Sequence, residues 1–208
     1  MTERAQLFDF SHSSACYRVR IALNLAGVPY DKITVDLATE AHHSDDYLQI
    51  NPQGFVPALE IDGIRLTQSL AIIDYLEDTG RLELRPKDPK RCAYMRAMTQ
   101  AVTCDVHPVC NRHVALHAEA ISGGRETRAT WTRHFMRPAL EALELILDKE
   151  GPYAIGTQLS QADVVIIPQL YNATRWNVDI SDLPRLSRIK KACEILPAFA
   201  LAHPDLPD

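Results

Sequence analysis

Apolar positions in the first forty residues follow two different spacings. Residues 5–10 form a short apolar-rich run and residues 30–37 alternate between apolar and polar positions, which predicts two β-strands. Between them, apolar residues recur at helical spacing from Val19, so residues 15–25 are predicted to form an amphipathic helix. A strand, a helix and a strand with short joins form a right-handed βαβ unit with parallel strands.

A second set of apolar runs follows a loop or helical turn over residues 43–50. Residues 58–61 and 64–66 are separated by an Asp-Gly pair, which tolerates the positive φ angles of a two-residue hairpin turn. Residues 70–78 then follow helical spacing, with Ser69 available as the N-terminal cap. The first eighty residues thus have the thioredoxin-like order, βαβ and then ββα, which predicts a four-stranded mixed sheet.

The composition changes after this domain. Residues 83–90 contain two prolines among charged residues and are predicted to link a domain of residues 1–82 to one of residues 91–208. No strand pattern of comparable strength follows the linker. Helical patterns cover residues 91–120, 130–149 and 183–195. The predicted fold is therefore an α/β thioredoxin-like N-terminal domain followed by an all-α C-terminal domain.

Two prolines and one capping motif modify the helical pattern. Pro108 has no N–H and its ring collides with the carbonyl four residues earlier, so a bend is predicted near His107. Pro138 is a second position where a predicted helix is open to interruption. Ser160 and Asp163 have the spacing of a capping box, with Asp in place of the usual Glu, which predicts a helix start.

Charge and composition exclude several classes of function. The formal net charge of -5 and the pI near 5.9 argue against nucleic-acid binding, which usually needs a basic face. The apolar runs are too short to cross a bilayer and the N-terminus has no apolar signal core, so we expect a cytoplasmic protein. The five cysteines lack the spacing of a zinc site and the eight histidines form no ligand motif, which predicts free thiols and no metal.

The loop before the hairpin and the helix after it suit an extended anionic peptide. Pro57 cannot donate a ladder hydrogen bond, so the peptide groups of Val56 are expected to be unpaired and able to meet another chain. The first N–H groups of the helix capped by Ser69 suit a carboxylate, because they lie at the positive end of the helix dipole. A hairpin and helix that bind nothing remain the alternative from these residues alone.

Ser13 and Ser14 lie in the turn after the first strand, where thioredoxin-like proteins place a sulfur nucleophile. Because Ser13 stands where a disulfide reductant would have its first cysteine, the reacting thiol is expected to come from a bound ligand. A serine hydroxyl directed at that sulfur would stabilise the thiolate. In the alternative interpretation the serines only cap the helix. For Cys16, one turn further on, we favour a buried and inert thiol.

Four segments together resemble the zeta class of glutathione transferases, whose members include maleylacetoacetate and maleylpyruvate isomerases. They are residues 13–23, 51–59, 68–77 and 104–108. The resemblance spans nearly the whole chain and implies the glutathione transferase fold, glutathione as the cofactor and a homodimer. It also implies cis-trans isomerisation of maleylacetoacetate or maleylpyruvate, two small dicarboxylate keto acids of aromatic catabolism, to the fumaryl isomer by reversible thiolate addition.

The resemblance further implies roles for individual residues. Val56, before a cis Pro57, pairs its backbone with the cysteinyl part of glutathione, and a serine of the pair Ser13 and Ser14 faces the sulfur. The γ-glutamyl carboxylate is held by Gln68 and Ser69. Further site residues implied by the class are His107 for glutathione and His12, Arg112, His113 and Arg175 for the substrate.

Three positions depart from the pattern of related proteins. In the related maleylpyruvate isomerases, arginines tend to occupy the positions of His12 and His113. Substrate anchoring is therefore expected to differ at these two positions. Ala15 stands where the class usually has a cysteine, which favours isomerisation by the thiol of glutathione over reactions that need a protein thiol. Arg112 and Arg175 suit carboxylates by bidentate hydrogen bonding, with a solvated or ion-paired surface role as the alternative.

Other functions remain open on the same scaffold. A glutathione transferase or dehalogenase acting on small α-halo acids would consume glutathione. A non-catalytic binding protein with this fold would bind glutathione without turnover. A thiol-disulfide exchanger using Cys16 is disfavoured because that residue lies inside the helix. The choice between the two maleyl keto acids, and between Ser13 and Ser14, also stays open.

Overall fold

A computed structural model describes residues 4–206, so the predicted domain ends at residues 1 and 208 lie outside the described range. By its contacts the chain divides into two compact units. The first contains the residues up to Glu83 together with those from Leu196 onward, and the second runs from Leu84 to Ile195.

The first unit contains a four-stranded mixed sheet, as predicted. Its strands are β1 (Ala5–Asp9), β2 (Tyr30–Thr34), β3 (Ala58–Ile61) and β4 (Ile64–Thr67), in the order β2-β1-β3-β4. Strand β2 is parallel to β1, whereas β3 is antiparallel to both β1 and β4. Strand β2 ends before the predicted residue 37 because its ladder follows the five residues of β1 from Ala5 to Asp9.

Ten α-helices follow one another along the described chain. They are α1 (Ser14–Leu25), α2 (Asp45–Leu48), α3 (Ser69–Asp78), α4 (Pro89–Gln100), α5 (His107–Val109), α6 (Arg112–Ile121), α7 (Arg128–Ile146), α8 (Gln161–Arg175), α9 (Pro184–Glu194) and α10 (Pro197–Ala200). A 3₁₀ turn (Ala41–His43) precedes α2 and a π-helical segment (Ala101–Val106) follows α4. None of these helices, all within residues 4–206, has both the length and the apolar character that a membrane crossing requires.

The last helix, α10, groups with the sheet, although the sequence pattern assigned residues 91–208 to the helical domain. Two side chains of α1 explain this grouping, since Arg20 Nε donates to the Ala202 carbonyl and Asn24 Nδ2 donates to the Ala198 carbonyl, each at 3.0 Å. The predicted linker is also partly helical, because Pro89 is the first residue of α4 and Asp88 caps it.

The predicted single helix over residues 91–120 is wrong, since the described structure has three helices and a π-helical segment there. The π-helical segment widens the backbone directly before Pro108, which removes the collision between the proline ring and an α-helical carbonyl. Asn111 then caps α6 by accepting the Arg112 N–H at 2.7 Å, which separates it from α5. Pro138, by contrast, lies inside α7 without ending it.

The capping box before α8 is confirmed. Asp163 Oδ2 accepts the N–H and the hydroxyl of Ser160, each at 2.8 Å, and Oδ1 accepts the Ala154 N–H at 2.7 Å. Burial, against these hydrogen bonds, raises the pKa of Asp163 to about 6. The first ten residues of α8 are all buried, and α8 contacts both α4 and α9, so this capped helix forms the core of the second unit.

Candidate active site

The start of α1 places two serine hydroxyls in different surroundings. Ser13 caps the helix, because its Oγ accepts the Cys16 N–H at 3.3 Å, and its side chain is half-buried. Ser14 is the first helical residue and is only 3% exposed. Since Ser13 Oγ acts as the acceptor in the cap, its proton remains available for a ligand. The capping interpretation of Ser13 is therefore correct, and it leaves a role toward sulfur open.

Cys16 is fully buried in α1. Burial, and next the charge of Asp9, raise the pKa of its thiol far above the usual range. A thiol held in this way stays protonated and is a poor nucleophile. The predicted burial of Cys16 is thus confirmed, and its inertness stays a prediction.

The loop before β3 holds the Val56 backbone in a fixed position. Asn51 is buried and its Nδ2 donates to the Phe55 carbonyl at 2.7 Å, as does the Tyr47 hydroxyl. The Val56–Pro57 peptide is cis, as the resemblance implied. Across residues 4–206, neither the N–H nor the C=O of Val56 makes a hydrogen bond. These two groups are therefore available to an extended peptide such as glutathione.

The start of α3 differs from the sequence prediction by one residue. Ser69 is the first residue of the helix rather than its cap, so the prediction that Ser69 caps α3 is wrong. Gln68 occupies the cap position, with φ 69° and ψ 115° and without a capping side-chain hydrogen bond. A non-glycine residue in this region is strained, which is common at ligand sites. Gln68 Nε2 also donates to Gln53 Oε1 at 2.9 Å, joining the helix start to the Val56 loop.

A buried arginine is hydrogen-bonded to the first residue of α3. Arg18 Nη1 donates to Ser69 Oγ at 3.3 Å, and its side chain is among the largest fully buried ones in the described chain. Desolvation lowers the pKa of Arg18 to about 10. Sequence reasoning did not select Arg18, although it lies four residues before Ala22 and so falls on the apolar face of the predicted helix. The structure buries it there.

Glu40, His42 and His43 lie beside the Val56 loop and bring their ligand atoms within 4.8 Å of one another. A side chain at Gly54 would meet His43 at 2.9 Å, so the 3₁₀ turn packs closely on the loop. Three such ligands, two of them on exposed residues, do not complete the four-ligand shell of a structural zinc site. The absence of a metal stays a prediction.

In the second unit, the residues after the π-helical segment have two different environments. His107 begins α5 and is half-buried, and Arg112 begins α6 with similar exposure. His113, the next residue, is exposed. Asn111 caps α6 and so separates it from α5, which means that His107 and Arg112 do not lie on one continuous helix.

Arg175 is joined by two other arginines of the second unit. It ends α8, and its guanidinium lies 5.9 Å from the Tyr171 ring centroid. Arg128 begins α7 and lies 5.2 Å from the ring centroid of Trp176, the residue after Arg175. Desolvation, then the charges of Arg112 and Arg175, lower the pKa of Arg128. These three arginines form what we call the arginine cluster.

Arg128 was missed by the sequence reasoning, because the predicted helix began at residue 130 and placed Arg128 in a loop.

His12, a predicted substrate residue, belongs to the first unit. Its Nδ1 lies 4.0 Å from Asp205 Oδ1, and its ring meets Phe10 edge-on with centroids 6.1 Å apart. Arg112 and Arg175 thus both act on Arg128 within the second unit, and His12 contacts Asp205 and Phe10 within the first.

Comparisons with known proteins agree with this geometry. The glutathione S-transferase N-terminal domain matches residues 12–79. A maleylacetoacetate isomerase of Rhizobium meliloti is 45% identical, over 99% of this chain and 98% of that protein. The holo structure of a maleyl pyruvate isomerase, described as a bacterial glutathione S-transferase of the zeta class, has a TM-score of 0.93 at 35% identity, covering 98% of this chain and 99% of that one. The chain belongs to the zeta class of glutathione transferases.

A second zeta-class relative has been solved with ligands. The maleylacetoacetate isomerase of Methylobacterium extorquens, with malonate and glutathione bound, has a TM-score of 0.91 at 38% identity and covers 97% of this chain and 98% of that one. Malonate, which is bound there beside glutathione, is a small dicarboxylate. Membership of the zeta class confirms the resemblance and the predicted glutathione transferase fold, whereas the roles of individual residues stay predictions.

Proposed function

We propose that this protein is a glutathione-dependent cis-trans isomerase that converts maleylacetoacetate or maleylpyruvate to the fumaryl isomer. The observation that carries the proposal is the near full-length likeness to a maleylacetoacetate isomerase at 45% identity. The local geometry supports it, because the first unit offers an unpaired peptide edge and an uncapped helix start, while the second unit offers clustered arginines.

Five residues of the first unit are proposed to bind glutathione: Ser13, Val56, Pro57, Gln68 and Ser69. The Val56 backbone pairs with the cysteinyl residue, and the start of α3 binds the γ-glutamyl carboxylate through its free N–H groups. In the second unit, His107 is proposed as a further glutathione contact. Bound glutathione supplies the thiolate that adds reversibly to the cis double bond.

Ser13 is proposed as the residue that stabilises the sulfur anion, since Ser14 is buried. Its hydroxyl donates to the thiolate, which favours the charged form. A free thiol with a pKa of about 8.5 is roughly 3% ionised at pH 7, and a decrease of about two pKa units raises this to about 75%. Such a shift corresponds to about 2.7 kcal/mol, which one hydroxyl together with a helix N-terminus can supply.

The substrate of this reaction is a dicarboxylate keto acid, and the arginine cluster provides matching positive charge. Arg112 and Arg175 are proposed to bind its carboxylates, and Arg128 adds a third cation. His12 and His113 remain proposed substrate contacts. We further propose that the protein is cytoplasmic and forms a homodimer, in which exposed apolar side chains such as Tyr94 would be covered.

Proton NMR of the purified protein with maleylpyruvate and substoichiometric glutathione tests the proposal. We expect complete conversion of the cis to the trans olefinic signals while the free thiol is retained. The same experiment with maleylacetoacetate identifies the preferred substrate. Sedimentation of the purified protein tests the homodimer.

The alternative functions, a transferase or dehalogenase and a binding protein, predict different results when thiol loss and conversion are followed by NMR. Stoichiometric loss of the thiol with an α-halo acid would indicate a transferase or dehalogenase. Glutathione binding without conversion of either maleyl compound, even at stoichiometric glutathione, would indicate a binding protein and overturn the isomerase assignment.

A further inference from the structure

Two arginines on the same helix have opposite surroundings. Arg20 is neutralised, because its Nη1 donates to both carboxylate oxygens of Asp9, at 2.6 and 2.9 Å, and its Nη2 donates to the Ser11 carbonyl. Arg18 is 2% exposed, yet within residues 4–206 no carboxylate pairs with it and its Nε and Nη2 have no hydrogen-bond partner. A buried cation is costly unless a counter-charge is supplied, so the contrast requires an explanation.

The single hydrogen bond of Arg18 identifies where a counter-charge would lie. Its Nη1 donates to Ser69 Oγ, and Ser69 is the first residue of the ten-residue helix α3. Because Ser69 Oγ accepts from Arg18, its own proton is left to donate to a ligand. The free N–H groups of the first helical turn and the helix dipole favour an anion at the same place. A buried guanidinium, a polarised hydroxyl and a helix N-terminus thus combine at one point.

We propose that Arg18 is a positioning residue for the γ-glutamyl carboxylate of glutathione, acting through Ser69 and supplying the buried counter-charge for that carboxylate. This inference rests on the proposed function, because it takes glutathione as the ligand of α3. Arg18 fixes the Ser69 hydroxyl in the orientation that donates outward. Since Arg18 is buried, its charge is weakly screened and reaches the ligand more effectively than a surface arginine would.

The test compares two ligands on matched variants of the full chain. Isothermal titration calorimetry measures glutathione and γ-aminobutyryl-cysteinylglycine, which lacks only the α-carboxylate of the γ-glutamyl residue. Wild-type protein is expected to prefer glutathione by about tenfold or more, as for a hydrogen-bonded charged group. In Arg18→Met this preference falls to about twofold or less, while binding of the analogue changes little. Arg4→Met is the control, because it removes an exposed arginine that pairs with Asp31 in the same unit.

Further variants keep the result decisive. Ser69→Ala should reduce the preference as well, and its effect should not add to that of Arg18→Met, because both residues act on one carboxylate. If Arg18→Met does not fold, Arg18→Gln keeps a donor toward Ser69 without the charge and should still lower the preference. Equal weakening of both ligands in the Arg18 variants, with the preference retained, would show a purely structural role and overturn the inference. If wild-type protein binds neither ligand, the proposed function itself fails.

Discussion

The start of α3 and the arginine cluster both concentrate positive charge, but they are built differently. At α3 the charge comes from backbone N–H groups and from the buried Arg18, and the adjoining loop is fixed by the buried Asn51. In the cluster it comes from side chains at the ends of three helices, of which Arg175 is exposed. The first arrangement is rigid, because backbone and buried groups supply its charge, whereas the second consists of long side chains.

This difference matches what each region is proposed to bind. Glutathione is the ligand shared by the class, so a rigid backbone site suits it. The related isomerases are named for two different keto acids, and the arginine side chains of the cluster suit the carboxylates of either. The comparison therefore predicts that mutations at the start of α3 and in the adjoining loop act on glutathione binding and that mutations in the cluster act on the substrate alone.

The largest expected effect is that of Ser13→Ala. Loss of a hydrogen-bond donor to the reacting anion should lower kcat by about 10²- to 10³-fold. Titration of the thiolate absorbance of bound glutathione should show a raised thiol pKa, because the charged form loses its donor. Ser14→Ala is the matched control and should lose less than about tenfold. Reversed effects in the two variants would assign the sulfur contact to Ser14.

Arg175→Ala and Arg112→Ala test the other side of the comparison. Each removes a charged hydrogen-bond donor, so KM for the maleyl keto acid should rise by about 10- to 100-fold. The Kd for glutathione, measured separately by calorimetry, should not change. Arg125→Ala, an exposed arginine of the same unit outside the cluster, serves as the control. A comparable loss of glutathione affinity in either variant would contradict the separation of the two regions.

Asn51→Ala should loosen the rigid region. It removes the donor to the Phe55 carbonyl and the acceptor for the Gln53 N–H, so stability should fall by about 1–2 kcal/mol in urea unfolding. Glutathione affinity should fall by about three- to tenfold, because the Val56 backbone is no longer fixed. Asn51→Asp keeps the acceptor and loses the donor, so an intermediate effect is expected. Unchanged glutathione affinity in a destabilised Asn51→Ala would show that the loop does not position the ligand.

Features that depend on local signals could be predicted from the sequence, whereas features that depend on distant contacts could not. The parallel pair of β1 and β2 and the hairpin of β3 and β4 followed from apolar patterns and the Asp-Gly turn, and the cap at Ser160 followed from spacing, because these signals are local. The helix break at Asn111 could not be predicted, since it depends on how the π-helical segment accommodates Pro108. The grouping of helix α10 with the sheet could not be predicted, because its Ala198 carbonyl accepts from Asn24, 174 residues earlier in the chain.

The site residues also differ in whether the sequence could predict them. Val56, Gln68 and Ser69 lie in short segments with a recognisable pattern, so they could be selected as candidates from the sequence. Arg128 could not, because it joins Arg112 and Arg175 only after three separate helices have folded. Arg18 had a local signal, a charge within the buried part of α1, but its partner Ser69 lies 51 residues away. Prediction therefore fails where a role depends on contacts between distant segments.

The smallest expected effect is that of Cys16→Ala, a substitution in α1, the helix that also contains Arg18. Burial keeps the pKa of the Cys16 thiol raised, so this group should take no part in the reaction and kcat should change by less than about twofold. Alkylation of native protein followed by mass spectrometry should label the exposed Cys104 first and Cys16 only after unfolding. Rapid labelling of Cys16 with loss of activity would instead mean that α1 opens readily. The thiol-exchange function would then have to be reconsidered.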